Sequence, residues 1–145
     1  MHAMHAAYVA LLLNSDQVEV RIAYHLVVLC DEDVHENVPR PDMAGHSWLS
    51  AGASTVCLQS AGDIGVALFA FELWDDQPPS LNQAEWAATE TLKLTLPSGV
   101  LCVRQITMGR IPEVFDVGEP GAYHVRLAWR EAEEGFLLAQ FWAAR

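Results

Sequence analysis

"GEPGAYHVRLAWREAEEGFLLAQFW", residues 118–142, carries a β-hairpin from end to end. A Gly/Pro turn opens a strand in which Tyr123, Val125, Leu127 and Trp129 alternate with His124, Arg126 and Arg130. An acidic loop at 131–134 follows, and GFLLAQFW returns as a second apolar strand. Alternation at period two marks a strand with one face in a core and the other in solvent. Nothing in the hairpin is chemically reactive, so it reads as scaffold, and the function has to be sought elsewhere.

The same period recurs upstream. VEVRIAY places Val18, Val20, Ile22 and Tyr24 on one face, and the strand is expected to run on through HLVVLC, apolar on both faces. TVCLQ (55–59) and IGVALFAFELW (64–74) are separated by SAGD, a hairpin signal. In the second of these, Phe69, Phe71 and Leu73 oppose Val66, Leu68 and Ala70, the pattern of a covered central strand. DDQPPSLNQ (75–83) breaks structure, NQAEWAATE makes at most a helical turn, and Leu92, Leu94 and Leu96 restore the alternation before PSG turns into VLCVRQI. No dozen residues show a 3.6 period. Seven to nine strands in 145 residues predict a single all-β domain, an antiparallel, jelly-roll-like β-sandwich, with residues 1–7 as a flexible tail.

Composition bounds the function. With 52% hydrophobic residues, the chain can bury enough surface to fold without disulfides or metals. Cys30, Cys57 and Cys102 are odd in number, form no CxxC pair and lie in apolar runs, which places the protein in a reducing cytoplasm with buried free thiols. The apolar run Ala6–Leu13 has no preceding Lys or Arg and is too short for a secretory core or a membrane span, so no membrane association is expected. Net charge is −11, and it is uneven: residues 31–90 hold eleven acids against Arg40, whereas residues 91–145 hold six of each sign. An acidic pole repels phosphates, which argues against nucleic acid and suits a basic protein partner; plain solubility is the competing account.

Catalytic and metal signatures are missing. The six histidines show no HxH, HxxxH or HExxH spacing; His25 and His124 fall on strands, and His35 and His46 flank an acidic loop. There is no GxSxG elbow, no Gly-rich phosphate loop, and the surroundings of Cys57 and Cys102 read as core. No enzyme activity, cofactor or metal is therefore expected. The long irregular stretch 31–52 carries the densest acid cluster, Asp31, Glu32, Asp33 and Glu36, and is the first place to look for a working surface. Glu72, Asp75 and Asp76 form a second acidic group at a strand end, readable either as binding carboxylates or as a solvated turn. Trp48 and Trp74 adjoin loops and are candidate binding anchors, while Trp86, Trp129 and Trp142 are expected in the core.

The tail quoted above, with IAYHLVVLCDED and WAATETLKLTLPSGVLCV, resembles a small uncharacterised bacterial β-sandwich family from about residue 17 onward. The chain departs from that group in ending QFWAAR where a Trp-Pro is expected, and in the longer HENVPRPDMAGHSW loop. More distantly, the YH strand near the start and the Leu-Pro, Gly-turn and Tyr strand near the end are similar to the ComJ-type competence proteins, inhibitors of a DNA-entry nuclease. That resemblance implies a sandwich that binds protein, and it transfers no individual site residue. The expectation is a non-enzymatic acidic inhibitor or immunity-type protein for a basic nuclease or toxin. It would use Asp31, Glu32, Asp33, Glu36, Trp48, Glu72, Trp74, Asp75 and Asp76. A small-ligand or carbohydrate-binding sandwich using Trp48 and Trp74 is the alternative.

Overall fold

The computed structural model describes residues 8–22, 25–41, 47–60, 65–130 and 135–145; among them are ten strands and no helix. In chain order they are β1 (Leu12–Arg21), β2 (Leu26–Asp31), β3 (Leu49–Ala51), β4 (Thr55–Gln59) and β5 (Val66–Trp74). The second half supplies β6 (Ala88–Leu96), β7 (Val100–Gln105), β8 (Gly109–Asp116), β9 (Gly121–Arg130) and β10 (Gly135–Ala143). Five form a sheet in the order β1-β5-β10-β9-β6 and five a second in the order β3-β4-β2-β7-β8. The count exceeds the expected seven to nine because β3 is only three residues long and β8 is interrupted by a bulge, so neither shows clean alternation.

The core lies between the sheets. Phe69, Phe71, Phe141 and Leu127 from the first are fully buried with Leu29, Leu58 and Leu101 from the second. Phe71 stacks on Phe115 of the opposite sheet at 5.6 Å between ring centroids. Each such side chain contributes about 1.5–3 kcal/mol by leaving water. The β9/β10 hairpin pairs antiparallel from Phe136↔Arg130 to Ala143↔Tyr123, and both strands are central in their sheet.

Three expectations need correction. The run from Val18 to Cys30 is not one strand: β1 belongs to the first sheet and β2 to the second, and the chain turns between them with His25 at φ 64°. The buried positions change parity across this corner, from Val20 and Ile22 to Val27 and Leu29. Likewise β4 and β5 do not pair as a hairpin, because they lie in different sheets. Nor is the fold wholly antiparallel. β10 runs parallel to β5, from Gly135↔Ala67 to Phe141↔Leu73. Strands so distant in sequence need no tight connection, which removes the usual obstacle to a parallel pair.

Candidate functional site

Of the expected site residues, Asp31 is the most deeply placed. It ends β2, is 0% exposed, and its carboxylate is used up locally. Oδ2 accepts from the backbone N–H groups of Ser98 (3.0 Å) and Gly99 (3.2 Å), and Oδ1 from Ser98 Oγ (2.8 Å) and Asp33 N–H (2.9 Å). Gly99 has φ +74°, and a Cβ there would stand 3.1 Å from the Glu119 backbone, so this turn between β6 and β7 requires glycine. Asp31 is thus a clamp on the β6–β7 turn rather than a solvated binding group.

Its neighbours reach an open cleft of about 550 Å³ at the edge of the second sheet, lined by Glu32, Asp33, Ser98, Val100, Glu113, Phe115 and Asp116. Glu113 is aimed there by the backbone. Between Leu101↔Phe115 and Val103↔Ile111, β8 carries two more residues than β7; in this bulge Pro112 and Glu113 are exposed while Val114 stays buried in the core. Bulges and proline blunt an exposed edge strand and re-aim a side chain. Glu113 itself sits at φ 49°, a conformation most non-glycine residues avoid, and its N–H donates to Glu32 Oε2 at 3.1 Å. Glu32 Oε1 pairs with Arg110 Nη2 at 2.7 Å. With Glu32 so neutralised, the exposed carboxylates of Asp33, Glu113 and Asp116 give the cleft its negative charge.

Glu36 does different work. Its carboxylate accepts from Ala53 N–H and Ser54 N–H, both at 3.0 Å, and these bonds lower its pKa from the ordinary glutamate value. Its carbonyl accepts from Arg104 Nη2 at 3.1 Å, which pins the loop after β2 to the outer face of the second sheet. Those contacts are local anchors.

The second acidic group lies on the other sheet. Glu72 of β5 accepts from Gln140 Nε2 (2.8 Å) and Trp74 Nε1 (3.0 Å) through Oε1, and Gln140 Oε1 accepts from Arg126 Nε (2.7 Å). Burial of Arg126 lowers its pKa. Asp75 holds the start of the described chain: it accepts from the Tyr8 hydroxyl and from Leu11 N–H at 2.7 Å. The Tyr8 hydrogen bond, then that of Leu11, lowers the Asp75 pKa. Asp76 is exposed. Residues 31–36 and 72–76 therefore sit on opposite sheets. Nor are the two candidate anchors neighbours: Trp48 packs half-buried against the core beside β3, and Trp74 lies in β5.

Of the three tryptophans expected in the core, Trp129 and Trp142 are buried, while Trp86 is half-exposed beneath the Arg130 guanidinium at 5.1 Å. His124 packs on Trp142 at 5.4 Å, and His25 lines a small apolar cavity with Trp48 and Trp129. His46, the tail at 1–7 and the acidic loop at 131–134 lie outside the described residues. Among the described residues no group of three His, Cys, Asp or Glu could hold a metal ion, and no helix is long and apolar enough to cross a membrane.

Sequence reasoning missed Glu113 and Asp116, which belong to the half of the chain with balanced charge. Only the β7–β8 pairing brings them to Glu32 and Asp33. The turn formers ahead of β8 and the isolated Pro112 were the available signals.

No protein-family model matches the chain, and no curated protein matches it by sequence. Solved structures do match. ComJ, described as an inhibitor of the DNA degrading activity of NucA from Bacillus subtilis, is similar with a TM-score of 0.70 at 13% identity. The match covers 94% of this chain and 100% of that one. The structure described as crocagin biosynthetic gene J is similar with a TM-score of 0.57 at 16% identity, covering 91% of this chain and 98% of that one. At these identities the likeness is one of fold.

Proposed function

We propose that this chain is a non-enzymatic, cytoplasmic inhibitor or immunity-type protein that covers a basic surface of a protein partner, a nuclease or a toxin. The observation that carries the reading is the likeness to ComJ over 94% of this chain, a protein itself named an inhibitor of a DNA-degrading activity. The cleft supplies a physical means. Asp33, Glu113 and Asp116 present carboxylates around an apolar floor of Val100 and Phe115. Carboxylates so placed occupy positions that nucleic-acid phosphates take among Lys and Arg side chains, and they compete for the same cations. The same charge disfavours nucleic acid as a ligand of this chain.

The carbohydrate-binding alternative needs Trp48 and Trp74 as a platform. Trp48 is packed on the core, Trp74 is bonded to Glu72, and the two flank different sheets, so no observation favours it. Affinity capture from the native host at low salt, followed by a DNA-degradation assay of the captured protein with and without this chain, tests the proposal. A basic partner whose activity falls on adding the chain supports it. Capture of only acidic or sugar-processing proteins, or a nuclease indifferent to the chain, defeats it.

A further inference from the structure

The β2–β7 register sets Cys30 directly opposite Cys102, on the face of the second sheet turned away from the core. Their sulfurs stand 3.0 Å apart, within about 1 Å of the ~2.04 Å of a disulfide bond. Both thiols are 1% exposed, and the loop carrying Glu36 is tied over this face by Arg104. Cys57, also buried, pairs in register with Val28 and Ser50, not with another cysteine. From this geometry we infer that Cys30 and Cys102 are an oxidation site, forming one intramolecular disulfide with hydrogen peroxide while Cys57 stays a thiol.

The environment favours an order of events. Cys30 is the more acidic thiol, lowered to about 7 first by the hydrogen bond from the Cys102 thiol and further by Arg104. Donating that bond, together with burial, pushes Cys102 up, and burial alone raises Cys57. The Cys30 thiolate attacks one peroxide oxygen; an S–O bond forms, the O–O bond breaks, and the departing hydroxide takes a proton to become water. Cys102 sulfur then attacks the Cys30 sulfenic acid. The S–S bond forms, the S–O bond breaks, and hydroxide leaves with the Cys102 proton as a second water. Two thiols and one peroxide give one disulfide and two waters. Burial selects a neutral oxidant of nearly water size over a bulky disulfide such as oxidised glutathione.

The bond would staple β2 to β7 close to the cleft, since Cys30 precedes Asp31 and Val100, two residues before Cys102 on β7, is one of the cleft's lining residues. The inference needs no partner and stands or falls apart from the inhibitor reading. The test is to reduce the protein, treat it folded with hydrogen peroxide, alkylate in denaturant and map the peptides. A Cys30–Cys102 linkage with Cys57 alkylated, an unchanged pattern in Cys57→Ser, and a raised Tm are expected. Sulfenic acid trapped by dimedone on Cys30 in Cys102→Ser is expected as well. The inference is overturned if Cys30 and Cys102 are recovered alkylated, if Cys57 enters the linkage, or if Cys30 is found only as sulfinic or sulfonic acid.

Discussion

Asp31 and Ser98 are joined twice, side chain to backbone N–H at 3.0 Å and side chain to hydroxyl at 2.8 Å, across 67 residues of chain. This fixes the β6–β7 turn to the end of β2 and places Ser98 and Val100 in the cleft beside Glu32 and Asp33. Asp31→Ala would leave the Ser98 and Gly99 N–H groups without their acceptor. A loss of about 3 kcal/mol is expected, the scale for several bonds to a buried charge. Asp31→Asn, which keeps one acceptor oxygen, should lose less. Urea unfolding curves measure both; a loss below about 0.5 kcal/mol in Asp31→Ala contradicts the clamp.

Glu36 gives a pH dependence of known sign. Its folded pKa is depressed, chiefly by the Ser54 and Ala53 N–H groups. The stabilisation is present above the pKa of the unfolded chain and is lost as pH falls through the folded value. Protection of the Ala53 and Ser54 amides from hydrogen exchange should therefore hold at neutral pH and drop below the ordinary glutamate range. Glu36→Gln should weaken that protection, cost about 1 kcal/mol or less, and remove the acid-side drop. Equal pH profiles in the two proteins would contradict the anchoring.

Leu127 lies 1% exposed in the core between the sheets. Leu127→Ala should cost about 2–5 kcal/mol in urea unfolding, by lost transfer energy and a residual cavity. A cost under 1 kcal/mol would mean that β9 does not pack as described.

Much of the fold could be read from period two. Val20, Phe69, Leu94 and Val125 are fully buried where alternation places them, while Val18 and Leu92 are only partly so near their sheet's edges. The corner at His25 could not be seen, because residues 26–30 are apolar throughout and hide the change of parity. They are apolar because β2 is central and its outer face is roofed by the loop after it. The parallel β5–β10 pair is invisible to local reading, since nothing in either strand names a partner some seventy residues away. The site was legible only in part. Residues 31–36 were found by their charge, but charge alone could not tell Asp31 and Glu36, which hold the backbone, from Asp33, which faces solvent. Glu113 and Asp116 were masked by the basic residues around them in sequence.

The proposed inhibition requires the cleft carboxylates to act on a basic nuclease or toxin. The direct measurement is inhibition of DNA degradation by the captured partner, comparing the natural chain with the combined variant Asp33→Asn, Glu113→Gln, Asp116→Asn. A control variant, Glu19→Gln, Glu85→Gln, Glu90→Gln, changes charge equally at exposed positions on or beside the first sheet. The cleft variant should associate about tenfold more slowly at low salt and inhibit correspondingly less, with the difference shrinking as salt screens the charges. The control should inhibit like the natural chain. Equal inhibition by all three proteins, or equal loss in both variants, would contradict the claim that the cleft is where the partner binds.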